Sequence, residues 1–331
     1  MQPQLLPQGS SLLLAVSGGQ DSMALLALLQ DLAPLHGWSL GLWHGDHRWH
    51  DGSSRIAAEL SNWCQKRQLP LQVDQAAPGQ VPSEAKARQW RYERLAQRAR
   101  EAGADVVTGH TASDRAEGVL MNIARGCGIQ GLSTLREVRP LSDASPKGPR
   151  LRRPLLQFTR AETAAICSEL HLPIWLDPSN DNHSLERNRI RHQVMPVLDE
   201  LHPGCEQRIA GLSQRMAQLR TTQSGLSELA LQSLSRPDGL NRQTFRQIDP
   251  PTCGALLAAW LRREGAPKIT SKKLEELSHR LRMGPGNGQS DLGDDWHMRW
   301  DRETIRLLNR NQSPNDNHSS LIGSQCQSAQ K

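Results

Sequence analysis

The sequence is poor in phenylalanine and tyrosine, and it lacks paired cysteines and long apolar runs. Its 331 residues include two Phe and one Tyr against nine Trp. No Cys-x-x-Cys pair is available for zinc or an iron–sulfur cluster, since the six cysteines lie at positions 64, 127, 167, 205, 253 and 326. The apolar run at residues 12–16 is too short for a signal peptide or a membrane span. We therefore expect reduced thiols and a cytoplasmic location.

Acidic residues are outnumbered by basic ones. Asp and Glu total 34 against 40 Lys and Arg, which gives a formal net charge of +6. Residues 86–100 contain six basic residues and one acid, and residues 147–160 contain five and none. A solvated helix face is the alternative explanation for the first segment, whereas the second has no acids to balance it. This distribution favours a polyanionic partner such as a nucleic acid. With 37% hydrophobic residues, a wholly disordered chain is excluded.

Strand-like and helix-like segments alternate through the first part of the chain. Apolar runs predict four strands, at residues 12–16, 38–43, 71–73 and 104–107. Helical patterns follow each of them, at residues 21–29, 54–67, 83–103 and 114–124. Such alternation is typical of an α/β protein with an open parallel sheet and flanking helices.

Beyond residue 200 the pattern changes to long helices with no strands between them. These helical patterns cover residues 204–234, 251–263 and 271–282, and a hairpin is predicted at residues 296–308. We predict a first domain over residues 1–200 and a smaller, mainly helical second domain over residues 201–310. The Asn-, Ser- and Gln-rich residues 311–331 are predicted to be a disordered tail.

A glycine-rich turn joins the first predicted strand to the first helix. Its sequence is Ser17-Gly18-Gly19-Gln20-Asp21-Ser22. The two glycines allow close approach of an anion, and backbone amides at the helix N-terminus attract it. The turn has neither the Gly-Lys-Ser/Thr of a Walker A loop nor the glycine spacing of a dinucleotide fingerprint. We interpret it as a different phosphate-binding loop, rather than only a capped tight turn.

Two further polar segments follow predicted strands. His44-Gly45-Asp46-His47 ends the second strand, and residues 109–117 follow the fourth. Ligands of open α/β sheets bind outside the carboxyl ends of the strands, where these segments converge with the turn. We expect an acidic crevice there, and carboxylates beside a polyphosphate favour Mg²⁺. The carboxylates and histidine singled out are Asp21, Asp46, Asp114, Glu117 and His110.

In order and spacing these segments resemble the PP-loop ATP pyrophosphatase superfamily and, within it, the tRNA(Ile)-lysidine synthases. Further matching segments lie at residues 87–92, 125–132, 153–156, 177–180 and 187–192, so the resemblance covers residues 11–195. It implies an adenine nucleotide alpha hydrolase-like fold. The chain departs from the family pattern at Ser113, at Gly118 and in the loop after His47.

The resemblance also implies a ligase that uses ATP and Mg²⁺. Such an enzyme adenylates the wobble cytidine (C34) of a tRNA(Ile) with a CAU anticodon, and the side-chain amine of free L-lysine then displaces AMP. By the same resemblance, residues 17–22 bind ATP, Asp21 and Asp46 hold Mg²⁺, and Asp114 and Glu117 bind lysine. The catalytic residues that the resemblance implies are Asp46, His110, Asp114 and Glu117. The implied substrate and tRNA contacts are Arg88, Arg91, Arg125, Arg153, Arg187 and Arg191.

Several alternatives stay open at this stage. A PP-loop tRNA thiolase is one, although the cysteine spacing offers neither a cluster nor a catalytic pair. Others are a small-molecule synthetase, which leaves the basic helices unexplained, and a non-catalytic tRNA-binding module. Trp90 either stacks on a base or packs in the core, and packing is the interpretation we favour. The sequence leaves the oligomeric state open, a homodimer included.

Overall fold

The chain divides into two compact units, Met1–Arg220 and Thr221–Lys331, in a computed structural model. The structure describes residues 5–48, 52–142, 145, 147–176 and 185–309. In that part of the chain, no helix is long and apolar enough to cross a membrane. The predicted tail and the matching segment at residues 177–180 lie outside the described residues.

A six-stranded sheet forms the centre of the first unit. Its strands are β1 (Ser11–Ala15), β2 (Ser39–Asp46), β3 (Leu71–Gln75), β4 (Asp105–Thr108), β5 (Val138–Pro140) and β6 (Arg150–Arg152). The order is β3-β2-β1-β4-β6-β5, and only the β5–β6 pairing is antiparallel. The predicted parallel sheet is confirmed. The sequence did not predict β5 and β6, because three-residue strands carry no recognisable apolar period.

Helices cover both faces of this sheet. They are α1 (Gln20–His36), α2 (Ser53–Lys66), α3 (Glu84–Glu101), α4 (Ala112–Ala124), α5 (Ile129–Leu132), α6 (Arg160–Glu169), α7 (Glu186–Arg189) and α8 (Met195–Leu201). A π-helical turn, Ile190–Val194, joins α7 to α8. Successive β1 residues enter two different cores: Leu12 and Leu14 pack with α1, whereas Leu13 packs with Trp90 of α3. The packing interpretation of Trp90 is thus confirmed.

Capping side chains fix where three of these helices begin. Ser83 accepts a hydrogen bond from the Lys86 amide at the start of α3. A capping box of Thr159 with Glu162 opens α6. A further capping box, which the sequence analysis missed, opens α4 and uses Asp114.

The second unit combines helices with an antiparallel sheet. Helix α9 (Cys205–Leu234) starts in the first unit and extends into the second, which also contains α10 (Arg242–Gln247), α11 (Pro250–Arg263) and α12 (Ser271–Met283). The strands are β7 (Ser235–Arg236), β8 (Gly239–Asn241), β9 (Gly288–Gly293), β10 (Trp296–Trp300) and β11 (Thr304–Asn309), in the order β7-β8-β11-β10-β9. The predicted hairpin is confirmed as β10–β11. The sheet is larger than predicted, because β7, β8 and β9 are short or rich in glycine and polar residues.

Candidate active site

The glycine loop, residues 17–22, connects β1 to α1 at the carboxyl edge of the sheet. Gly18 has φ +86°, a left-handed conformation that favours glycine. The Ser22 hydroxyl accepts a hydrogen bond from the Ser17 amide at 3.2 Å and donates one to the Gly19 carbonyl at 2.8 Å. Gly19 is the N-cap of α1 and provides no capping side chain, so the first-turn amides have no partner from that residue. The loop has the backbone geometry of an anion-binding turn.

The end of β4 lies directly against the glycine loop. A Cβ built on Gly109 would lie 2.8 Å from the Asp21 carbonyl oxygen and 3.1 Å from the Ser22 nitrogen. The first distance is shorter than real Cβ contacts and the second is tighter than most of them, so glycine at position 109 allows the two strand ends to approach this closely. The predicted convergence of these two segments is confirmed.

The first turn of α6 packs on the same loop. Gln20 donates from Nε2 to the Arg160 carbonyl at 2.8 Å, so its side chain points toward α6. The Asp21 carboxylate accepts hydrogen bonds from the Thr163 hydroxyl and from Arg160 Nε, the latter at 3.3 Å. Arg160 therefore binds directly to a residue of the predicted ATP site.

Three arginines surround the carboxylates of α4. Arg160 contacts Asp114 at 3.2 Å and Glu117 at 3.4 Å. Arg187 contacts Asp114 at 3.0 Å and Glu117 at 2.7 Å, and Arg191 contacts Glu117 at 2.7 Å. We call these five residues, together with Asp21, the carboxylate–arginine network.

This network corrects one expectation. The centre was predicted to be acidic, yet three guanidinium groups face the three carboxylates of Asp21, Asp114 and Glu117. The prediction was wrong because Arg160, Arg187 and Arg191 come from segments more than 40 residues away in sequence. Arg187 lies on α7 and Arg191 in the π-helical turn, a rare helix type that is frequent at functional sites.

Asp114 combines a structural and an electrostatic task. Its Oδ2 accepts hydrogen bonds from the Thr111 amide at 2.9 Å and from the Thr111 hydroxyl at 3.2 Å, which closes the capping box of α4. Its Oδ1 faces Arg160 and Arg187. Burial opposes ionisation, but the charges of Arg187 and Arg160 and the hydrogen bond from the Thr111 amide outweigh it and lower the pKa of Asp114. The carboxylate is therefore ionised.

His110 is a half-buried, neutral side chain beside this network. Its Nδ1 lies 2.8 Å from the Thr108 hydroxyl. Burial lowers the pKa of His110 far below its ordinary value, and the positive charges of Arg153, Arg187 and Arg88 add to that effect, against the opposing charge of Asp114.

Asp46 lies in a different environment at the end of β2. Its carboxylate accepts hydrogen bonds from the Arg48 amide at 2.9 Å and from the Ser54 hydroxyl at 3.0 Å. Burial opposes ionisation, but hydrogen bonds from the Arg48 amide and the Ser54 hydroxyl outweigh it and lower the pKa of Asp46. His44 joins this strand end to β1, with Nδ1 at 2.8 Å from the Val16 carbonyl.

The other predicted arginines fall into three settings. Arg125 forms an exposed ion pair with Glu186. Arg91 lies 3.1 Å from His47 through its Nη2. Arg88 and Arg153 lie beside Tyr92, and their charges also act on His110.

Sequence reasoning missed Arg160, Thr163 and Glu206 as site residues. The Ser113 hydroxyl donates to Glu206 of α9 and accepts from the Arg160 amide at 2.8 Å. Burial raises the pKa of Glu206. The Thr159–Glu162 capping box was a signal for a helix start, but no pattern in the sequence indicated which loop that helix would meet.

A magnesium site is not preformed among the described residues. They contain no group of three or more His, Cys, Asp or Glu side chains placed to hold a metal ion. Asp21 and Asp46 both accept hydrogen bonds from protein donors. Mg²⁺ commonly takes one or two carboxylates and draws its other ligands from substrate phosphates and water, and the two aspartates fit only that mode.

Comparison with known proteins identifies the family. A family described as the PP-loop domain matches residues 2–198, and the TilS substrate binding domain matches residues 240–305. A tRNA(Ile)-lysidine synthase from Parasynechococcus marenigrum is 56% identical over 305 residues, 92% of this chain and 90% of that protein. The chain belongs to the tRNA(Ile)-lysidine synthase family. A second such synthase, from Prochlorococcus marinus, is 43% identical, with 92% of each chain covered.

Among solved structures, a U34-tRNA thiolase from Methanococcus maripaludis with a 4Fe–4S cluster has a TM-score of 0.54 at 18% identity, covering 65% of this chain and 75% of that one. At that identity the likeness supports the fold alone. Family membership makes the chain an ATP-using ligase that forms a C–N bond. The thiolase and binding-module alternatives are not favoured.

Proposed function

We propose that the protein transfers the adenylyl group of ATP to the C2 carbonyl oxygen of the wobble cytidine (C34) of a CAU-anticodon tRNA(Ile), with release of pyrophosphate. The side-chain amine of L-lysine then bonds to carbon C2 of that base and displaces AMP. The observation that carries this proposal is Arg160. It contacts Asp21 of the glycine loop and both carboxylates of α4. A phosphate-binding turn and a charged pocket for an amino acid are thereby joined in one network.

ATP would bind with its phosphates on the glycine loop. The amides at the start of α1 and the hydroxyl of Ser22 are donors suited to a pyrophosphate leaving group. The C2 oxygen of cytosine is a weak nucleophile, so we infer that much of the rate comes from holding it in line with the α-phosphorus. We retain Mg²⁺ as an ion carried in by ATP, with Asp21 or Asp46 as its protein ligand. Bound there, it would offset negative charge on the phosphates.

Free lysine would bind at the carboxylate–arginine network. Free lysine carries two ammonium groups and one carboxylate, so it needs both anionic and cationic partners. Asp114 and Glu117 suit an ammonium group, and Arg187 and Arg191, which are 31% and 20% exposed, suit a carboxylate. In the protein without substrate, those two arginines contact Asp114 and Glu117. Lysine binding would therefore require the arginines and the two acids to exchange each other for groups of the lysine.

The attacking amine must lose a proton, and Glu206 is the acceptor we propose. Asp114 has a lowered pKa and His110 is neutral with a pKa far below its ordinary value, so both are weak bases. Burial raises the pKa of Glu206, which brings it nearer to working pH. Through Ser113 it is adjacent to the carboxylate–arginine network.

The tRNA would be held by both parts of the chain. Recognition of tRNA by the second unit is supported by the match to the TilS substrate binding domain. We propose residues 1–200 as the adenylation domain, residues 201–310 as a tRNA-contacting domain, and a tail beyond. Arg125, exposed beside Glu186, is the predicted arginine best placed to contact RNA from solvent. All five described cysteines are free thiols, which supports the proposed cytoplasmic location.

The first half-reaction offers a direct test. We expect pyrophosphate to form only when ATP is mixed with the CAU-anticodon tRNA(Ile), and its release to begin before lysine is added. AMP should appear only after lysine is added. Equal release with a tRNA of another anticodon would contradict C34 as the adenylated base.

A further inference from the structure

Three arginines converge on Tyr92, the only tyrosine of the chain. The Arg88 and Arg139 guanidinium carbons lie 5.0 Å and 5.2 Å from the centre of its ring. The charge of Arg153 acts on the Tyr92 hydroxyl. We call these four residues the tyrosine cluster. It brings together α3, β5 and the residue after β6, which adjoin one another only in the folded sheet.

Arg153 is the buried member of the tyrosine cluster. It is 2% exposed, and its Nη1 donates to the Arg136 carbonyl at 2.7 Å. Its Nε is buried and has no hydrogen-bond partner among the described residues. A buried guanidinium N–H without an acceptor is costly, so the position calls for an acceptor that the protein itself does not supply.

The cluster carries positive charge with no matching acid. Among the described residues, Arg88, Arg139 and Arg153 have no carboxylate partner, whereas the neighbouring Arg152 pairs with Asp105 at 2.6 Å. Burial and the charges of Arg139 and Arg88 lower the pKa of Arg153 to about 10, with Tyr92 opposing them. Three guanidinium groups that repel one another are stabilised when an anion binds between them.

We propose that the tyrosine cluster is a phosphate-binding subsite, which takes the phosphate oxygens of a nucleotide or of an RNA backbone. Guanidinium groups bind phosphate oxygens in pairs, and the Tyr92 ring orients two of them beforehand through cation–π contacts. The cluster lies near the carboxyl end of β4, since the charges of Arg153 and Arg88 act on His110 there. The proposal rests on the proposed function only for the source of the phosphate.

The single tyrosine makes this subsite observable by itself. Protein labelled with 3-fluorotyrosine gives one ¹⁹F resonance, from Tyr92, without any need for activity. We would titrate it with sodium pyrophosphate, with ATP and with a 17-nucleotide anticodon stem-loop RNA. The expected result is a saturable shift of the resonance. A shift with pyrophosphate and ATP alone assigns the subsite to nucleotide phosphates, and a shift with the RNA alone assigns it to the backbone.

Arg139→Gln is the test variant, and Arg67→Gln is its matched control. Arg67 also stacks on an aromatic ring, 4.2 Å from Trp63, but lies outside the cluster. We expect Arg139→Gln to weaken binding of the assigned ligand about tenfold or more, since a charge-assisted hydrogen bond is lost. Arg67→Gln should change it less than twofold. Folding of both variants is checked by circular dichroism, and Arg139→Lys replaces Arg139→Gln where the latter fails to fold.

The pKa of Tyr92 provides a second readout, and the direction of its change on phosphate binding can be predicted. The arginine charges favour the Tyr92 phenolate and lower its pKa against the opposing effect of burial. A bound phosphate neutralises those charges, so saturating pyrophosphate or ATP should raise the pKa of Tyr92, followed by the ¹⁹F shift against pH. The proposal is overturned if none of the three probes shifts the resonance, or if Arg139→Gln and Arg67→Gln bind them equally. If the wild-type protein binds these phosphate probes but transfers no lysine to the tRNA, the proposed function is contradicted and the phosphate-binding subsite is not.

Discussion

Arg191 forms two parallel hydrogen bonds with Glu117, from Nε at 2.7 Å and from Nη2 at 3.1 Å. Glu117 is 2% exposed, and its other contacts are to Arg187 and Arg160. A carboxylate so nearly removed from water needs this much cationic compensation. The arrangement also means that any ammonium group binding Glu117 must compete with a guanidinium already in place.

Replacing this carboxylate should affect lysine more than ATP. We expect Glu117→Gln to raise the KM for lysine at least about tenfold, because one charge-assisted contact is lost, while the KM for ATP changes much less. The free energy of unfolding should fall by about 2–3 kcal/mol, less than for a fully buried pair. Arg125→Gln, which breaks the exposed pair with Glu186, should cost under about 1 kcal/mol. An unchanged lysine KM would contradict the placement of the lysine site.

The contact between β4 and the glycine loop predicts a steric effect on ATP. A methyl group at position 109 would collide with the Asp21 and Ser22 backbone. We expect Gly109→Ala to displace the loop and to raise the KM for ATP about tenfold or more, with tRNA affinity within about twofold of wild type. Gly128→Ala is the control, since nothing lies within 4 Å of its Cβ position. Equal ATP kinetics in the two variants would contradict the account of the loop.

Removing one hydroxyl of that loop should separate ATP cleavage from tRNA binding. Ser22 holds the turn through the Ser17 amide and the Gly19 carbonyl. Ser22→Ala should lower pyrophosphate release about a hundredfold while leaving the Kd for tRNA nearly unchanged, because the hydroxyl acts on the leaving group. Filter binding and pyrophosphate release measure the two quantities separately. A comparable loss of tRNA binding would assign the loop a different task.

The pKa of Glu206 predicts opposite effects on stability and on rate. Burial raises this pKa, so the ionised side chain is a cost to the folded state at neutral pH. Glu206→Gln should therefore be more stable than wild type near pH 7, and the difference should vanish as the pH falls below the ordinary value of about 4.3. Lysine transfer should slow about a hundredfold and lose the acidic limb of its pH profile.

Ser113→Ala is the companion variant for Glu206. It removes the hydrogen-bond donor and keeps the carboxylate, so we expect a smaller loss of rate and a retained acidic limb. An acidic limb that persists in Glu206→Gln would identify a different proton acceptor. Both profiles are measured by adding lysine to enzyme-bound tRNA that has already been adenylated, so that the adenylation step does not limit the rate.

His110 should remain neutral through the whole working range of pH. Its lowered pKa means that the fold binds the uncharged imidazole, and the resulting stability is complete above the unfolded pKa of about 6.5 and is lost as the pH falls below it. The ¹⁵N shifts of His110, assigned with a His110→Gln variant, should not change between pH 5 and 8. A midpoint inside that range would contradict the burial of this side chain.

The sequence was sufficient where local patterns determine structure. Apolar runs identified β1 to β4, and the glycine loop could be located because its turn and helix start are local features. The sequence did not predict contacts between segments that are distant along the chain. Arg160 lies on α6, Arg187 on α7 and Arg191 in the π-helical turn. No spacing rule connects residues of these three elements to Asp114. For the same reason the charge balance of the centre was misjudged.

The site residues also differ in how well the sequence predicted them. Asp114 and Glu117 were predictable as a pair, since three residues of helix place both carboxylates on one face. Glu206 gave no sequence signal, because a single acid on a long helix is most often solvated. The alternation that identifies a half-buried strand is weak in Gly288–Gly293, and it is absent from the two residues of Ser235–Arg236.

The most direct test of the central claim is incorporation of labelled lysine into tRNA. The protein is incubated with ATP, Mg²⁺, radiolabelled L-lysine and a transcript of tRNA(Ile) with a CAU anticodon, beside a CAU-anticodon elongator methionine tRNA. The account predicts label in the isoleucine transcript, one lysine per AMP formed, and none in the methionine tRNA. ATP cleavage with no lysine in the RNA, or equal labelling of both transcripts, would contradict it.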